Sequence, residues 1–183
     1  LNATGLVEFA QEVTYGHYEG GLPNDPMFGQ LWHLQNTGQT GGTPGADVNA
    51  GPAWSIQDGD PSVVVAIVDS GTDWFHPDLA AAMWSNPGEI PNNDQDDDNN
   101  GYVDDTVGWN FQYNTKDPSS GFYHGTAVAS VVGAVGNNGI GLVGLGGGAQ
   151  DGVGLGVMAL QVGEFGPISS VMDEAILYAM DNG

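Results

Sequence analysis

The stretch "VVVAIV", Val63 to Val68, is an unbroken run of small and branched apolar residues that stops on a carboxylate, Asp69. A strand with one wet face alternates apolar and polar positions. A continuous run needs cover on both faces, as in a parallel sheet with helices on either side. "VGLGVMALQV" (153–162) reads as a second buried strand and "TVGWNF" (106–111) as a short one. Between them, "HGTAVASVVGAV" is Ala/Val-rich and predicts a buried helix starting near His124. "SSVMDEAILYAMDNG" (169–183) is the clearest helix: Ser170 and Asp173 fit a capping box, Val171, Ala175, Ile176 and Ala179 share one face, and Gly183 suits the C′ position. A small helix is expected over "GPAWSIQDG", with Pro52 in its first turn and Gly59 as its stop. "HPDLAAAMW" is short and turn-like. Strand, loop, helix, strand, helix makes an α/β chain with a mostly parallel sheet.

In such sheets ligands gather outside the carboxyl ends of the strands. Asp69 sits there, where a half-buried carboxylate is costly unless something hydrogen-bonds it. Asp-Ser-Gly is also ordinary turn chemistry, so Asp69 alone decides nothing. His124 opens "HGTAVAS", with Gly125 allowing close packing. The positive end of a helix dipole disfavours imidazolium, so a carboxylate is needed to hold the tautomer and stabilise the charged ring. Together the two residues form the Asp–His half of a nucleophilic triad. Singly, each reads equally well as a cap.

The charge balance is extreme: one Lys, no Arg, 23 Asp plus Glu and a net charge of −22. Nucleic acid and anionic membrane surfaces are excluded as partners, and cations are the natural counterpart. No run approaches a membrane span of ~18 apolar residues. The absence of Cys excludes disulfides, Cys-ligated zinc and a thiol nucleophile. The acids cluster in "DQDDDNNGYVDD", six of them between Asp94 and Asp105. Asp96, Asp98 and Asn100 alternate before Gly101, and Asp104 and Asp105 follow, as at the start of a calcium loop of EF-hand type. The twelfth position falls on Val107, so the EF-hand pattern is not completed. The alternative is a solvated acidic loop, but six acids this close repel one another strongly without a cation.

"VVVAIVDSGTDWFHPDL" and "HGTAVAS" resemble the Asp and His signatures of the subtilisin-like serine proteases, and similar segments run from about Asn24 to Gly183. The resemblance implies a three-layer, subtilisin-like α/β sandwich that is incomplete in this chain. It implies that Asp69 orients His124 as general base for a serine in a Gly-Thr-Ser context. Ser70, Ser130, Ser169 and Ser170 all stand in other settings, so residues 23–183 are expected to be the N-terminal part of the catalytic domain, inert alone. The partners are then a polypeptide substrate and the downstream part of the same domain. Subtilases with an insertion like "DDDNNGYVDD" bind calcium through it, with Tyr102 contributing its carbonyl. A further calcium site is implied at Asp78, Asn138 and the carbonyls of Ile140 and Leu142, with the Val135 carbonyl and Gln30 entering if either segment shifts by one residue. Residues 1–22 resemble the end of a propeptide and its linker, and a secreted location follows. The alternative function is a non-catalytic calcium-binding domain of the same fold used for adhesion or scaffolding.

Overall fold

A computed structural model describes residues 22–152 and 154–183. The reading of residues 1–22 as propeptide and linker falls, Leu22 apart, outside the described residues. Three strands form one parallel sheet: β1 (Val64–Asp69), β2 (Gly108–Asn110) and β3 (Gly156–Gln161), in the order β1-β3-β2. The helices are α1 (Ala50–Trp54), α2 (His124–Gly133) and α3 (Ser169–Asn182), with a 3₁₀ turn at Phe28–Gln30.

The unbroken apolar runs are explained by helices on both faces. Val65 and Ile67 of β1 and Val157 of β3 pack with Val128, Ala129 and Val132 of α2. Val64, Ala66 and Val68, with Met158 and Leu160, pack with Met172, Ala175, Tyr178 and Ala179 of α3. Alternate side chains of one strand thus enter two cores, and both must be apolar. This is the three-layer α/β arrangement expected from the sequence. A third cluster, Phe28, Leu34, Ala50, Trp54, Val143 and Ala149, anchors the N-terminal loops, and the Trp54 indole donates to the Leu145 carbonyl at 2.7 Å.

Two local expectations need correcting. α1 ends at Trp54, well before Gly59. Burial of Trp54 turns the chain there, and the Gln57 side chain then takes the N–H groups of Asp58 and Gly59. In α3 no capping box forms: the N-cap is Ile168, whose N–H bonds to the Val162 carbonyl at 2.9 Å, so both serines lie inside the helix. The buried face of α3 is Ala175 and Tyr178, while Ile176 is exposed. A three-residue step from Ala175 meets the sheet, whereas the adjacent residue is rotated about 100° away.

Candidate active site

All three strands end at one edge, and Asp69 and His124 meet there. His124 Nδ1 lies 2.7 Å from Asp69 Oδ1. The close approach depends on two glycines. A Cβ on Gly125 would collide with the Gly71 carbonyl, and Gly71 itself has φ +104, where L side chains are strained. α2 has no side-chain cap of its own. Ser70 serves instead, its Oγ accepting the Gly125 N–H at 3.0 Å, while the Ser70 N–H donates to Asp69 Oδ1 at 2.6 Å. Burial pushes the Asp69 carboxyl up, but the Ser70 N–H, His124 and the Ser70 hydroxyl outweigh it and hold the group below the usual carboxylate range. The carboxylate side chain is only 18 % exposed and the imidazole 63 %, so the ring presents its other nitrogen outward.

A cavity of about 360 Å³ opens beside this couple, walled by Val68, Val162 and Met172 and by the segment Gly163–Pro167. Phe122 and Phe165 meet edge to face over it, centroids 5.4 Å apart, and Tyr123 stacks on Phe122. Residues 164–167 line the cleft.

The acidic loop brings together some of the expected ligands and sends others elsewhere. Carboxylate oxygens of Glu89, Asp96 and Asp98 lie within 4.8 Å of one another. Asn100 adjoins them: its N–H is shared by Asp96 and Asp98, and its side-chain amide reaches Asp98 and Asp105 at 3.1 and 2.9 Å. Asp105, fully buried, accepts from the Asn86 amide and from the Tyr178 hydroxyl at 2.6 Å. Asp104, whose side chain is 1 % exposed, pairs with Lys116 at 2.6 Å. The Lys116 hydrogen bond holds Asp104 below the carboxylate range, and Asp104, then Asp94, raise Lys116. The Tyr102 ring packs among Trp109, Phe111 and Tyr178, and its hydroxyl donates to Glu174. Burial, then Glu174, pushes that hydroxyl up to about 12. Burial, then Asp105, pushes Tyr178 up as well.

Two of the remaining predicted ligands, Asn138 and Leu142, meet at Asp78, which is buried. Its oxygens accept from the Asn138 amide at 2.8 Å and from the Leu142 N–H at 2.9 Å. The Ile140 N–H closes a turn on Asn138 Oδ1, the Val135 N–H bonds to the Asp78 carbonyl, and Gln30 ends the 3₁₀ turn. Sequence reasoning missed Glu89 and Asp25. Asp25 takes the N–H groups of Asn137 and Asn138. Neither carries a spacing signal, since each reaches its cluster only through the fold.

Residues 60–180 match the sequence profile of the Subtilase family. Over 142 residues the chain is 34 % identical to a PC3-like endoprotease variant B of Hydra vulgaris, covering 76 % of this chain and 18 % of that protein. Over 84 residues it is 48 % identical to Subtilisin-like protease 1 of Plasmodium vivax, covering 45 % of this chain and 13 % of that one. The chain therefore spans less than a fifth of these relatives. The serine protease of Aeromonas sobria, solved in complex with a chaperone, is similar in fold with a TM-score of 0.60 and 25 % identity, over 87 % of this chain and 23 % of that structure. Among the described residues no helix is long and apolar enough to cross a membrane.

Proposed function

The chain belongs to the subtilase family, and from that premise we propose that it supplies Asp69 and His124 of the Asp-His-Ser triad of a secreted, calcium-stabilised serine endopeptidase. The 2.7 Å contact between His124 Nδ1 and Asp69 Oδ1, on the wall of a cleft, carries the reading. With Nδ1 committed to the carboxylate, Nε2 is the nitrogen left to take a proton. A serine outside these residues attacks the peptide carbonyl and passes its hydroxyl proton to Nε2. His124 then returns that proton to the leaving amine, and water completes hydrolysis of the acyl-enzyme by the same route. Asp69 stays ionised throughout, favoured by the Ser70 and His124 hydrogen bonds. The substrate is a polypeptide entering along the Phe122–Phe165 rim.

Calcium fits the donor set. Converging oxygens of Glu89, Asp96 and Asp98 suit a hard cation with several oxygen ligands, and Asn100 adjoins them. In the proposal the Tyr102 carbonyl joins this site, while Asp104 is taken by Lys116 and Asp105 by Asn86, Asn100 and Tyr178, and Asp78, Asn138 and the Ile140 and Leu142 carbonyls form the second. Bound calcium supplies the positive charge that these acids lack. Reliance on calcium suits an extracellular setting, where such modules bind weakly and the ion is abundant. The test is kcat/KM on a peptide substrate for full-length protein with Asp69→Asn or His124→Ala. Activity within a few-fold of wild type in either would refute the triad assignment.

A further inference from the structure

The strands do not merely end together; they end on a polar rung. Asp69, Gln161 and Asn110 are the last residues of β1, β3 and β2 and are register partners, Asp69↔Gln161↔Asn110. Paired residues of parallel strands share a face. Here it is the face of Val65, Ile67 and Val157, which carries α2 and His124. Gln161 is fully buried and Asn110 is 4 % exposed. Asn110 Nδ2 donates to Gln161 Oε1 at 2.5 Å and to the Asp117 carbonyl at 3.1 Å. The Asn110 Oδ1 accepts the Tyr113 N–H, which sets the amide's orientation.

With Oε1 committed to Asn110, Gln161 Nε2 faces the other way and has no hydrogen-bond partner among the described residues. A buried amide N–H left so is unfavourable, and an apolar residue of the same shape avoids that cost. Every other residue of β3 from Val157 to Leu160 is apolar. A glutamine at this one position therefore works against stability, and its contacts indicate what it does. A Cβ on Gly71 would meet the Pro118 carbonyl at 2.7 Å, Ser120 Cβ at 2.8 Å and Gln161 Cδ at 3.2 Å, so the Gln161 amide is part of the floor beneath this turn. On the other side Gly125 presses on the Gly71 carbonyl. The Thr72 N–H is tied to the Pro118 carbonyl at 3.0 Å, next to the Asp117 carbonyl that holds Asn110. The turn between Asp69 and Thr72 is thus clamped between α2 above and the Asn110–Gln161 pair below.

We infer that Gln161, locked by Asn110, is a positioning residue that sets the height of the Asp69–Gly71 turn and hence the alignment of Asp69 with His124. This inference rests on the protease reading of the site. Gln161 touches neither substrate nor the imidazole; it acts through Gly71. A displacement of the turn shifts the Asp69–His124 couple bodily, and misplacement on the 1 Å scale costs up to about a hundredfold in rate.

The test uses the full-length protease with Gln161→Met, which keeps the length and removes the amide, and Asn110→Ala, which removes the lock from the other side. Each is expected to lower kcat about tenfold with KM within about twofold, and the double variant to be no worse than either single one, since both break one unit. The low-field proton resonance of the His124 Nδ1–H, a direct reporter of the hydrogen bond to Asp69, shifts or broadens in both. In Gln161→Met the loss of the unpartnered Nε2 offsets the loss of the Oε1 that accepts from Asn110, so the melting temperature stays near that of wild type while kcat falls, a combination that a purely structural role does not produce. Wild-type kcat and an unmoved resonance in a folded variant overturn the inference. If Gln161→Met does not fold, that too overturns it, because the residue is then needed for stability, and Asn110→Ala reads the alignment separately. Asp69→Asn assayed alongside keeps the two claims apart: an active Asp69→Asn sinks the triad itself, whereas an inactive Asp69→Asn beside a wild-type Gln161→Met sinks only the role of Gln161.

Discussion

The sheet edge at Asp69 and the loop from Glu89 to Asp105 both gather carboxylates, and they treat them in opposite ways. At the edge one carboxylate is served by the Ser70 N–H and the His124 ring. Its charge is useful because it is single and directed at one imidazole. In the loop the acids are shared out: Asp104 to Lys116, Asp105 to Asn86, Asn100 and Tyr178, and Glu89 to the N–H groups of Asp97, Asp98 and Asp104. Asp96 takes the N–H groups of Asn100 and Gly101, and Asp98 the Asn86 and Asn100 amides, with oxygens of Glu89, Asp96 and Asp98 within 4.8 Å of one another. Like charges that close repel unless a cation joins them. In the proposed function the first region serves proton transfer and the second holds an ion.

That contrast can be broken by exchanging one oxygen for a nitrogen in each region. Asp69→Asn in the full-length protease is expected to lower kcat by about 10⁴-fold, because the imidazole loses the partner that sets its tautomer. Asp98→Asn should leave kcat within a few-fold when calcium is saturating, yet reduce the sensitivity of the melting temperature to chelator to what the Asp78 site contributes. Equal losses of activity from the two would erase the distinction. Gly125→Ala comes next, since the new methyl meets the Gly71 carbonyl. Denaturant titration should show a loss of about 1–3 kcal/mol, and kcat should fall with it.

Chelating calcium should destabilise the protein by about 2.7 kcal/mol if the ion is present at a hundred times its dissociation constant. An unchanged melting temperature would remove the metal from the account. Tyr178→Phe sharpens the same side of the comparison. It deletes the hydroxyl donor to buried Asp105 and should cost about 1.5–3 kcal/mol in an unfolding titration. The smallest effect is on the acid side. Asp69 is held below the ordinary carboxylate pKa of about 3.9, so its contribution to stability is complete above that value and drains away as pH falls through the lower, folded one. The stability of Asp69→Asn should therefore depend less steeply on pH in that window than that of wild type.

The couple was legible because its signal is local. A two-faced strand must stop where cover stops, so "VVVAIVD" announces both the sheet and the position of the acid. "HGTAVAS" announces a helix that packs closely at its first turn. The acidic loop was legible only as a cluster. Its spacing brought Asp96, Asp98 and Asn100 together, but Glu89 joins from seven residues upstream of Asp96, and Lys116 claims Asp104 from beyond β2. The helix details diverged for a similar reason. Tyr178 takes the inward place on α3 because Asp105, distant in sequence, waits there for its hydroxyl.

The sequence by itself determined the α/β class, the carboxylate at a strand end, the imidazole at a helix start and an acidity that calls for cations. These follow from periodicity, capping and charge, which act over a few residues. Only the tertiary structure decided which acids face one another, that Ser70 caps α2, and that Gln161 and Asn110 lie in register with Asp69 beneath its turn. Those relations join strands tens of residues apart, and strand register, like the choice of partner for a buried charge, is set by packing across the sheet rather than along the chain.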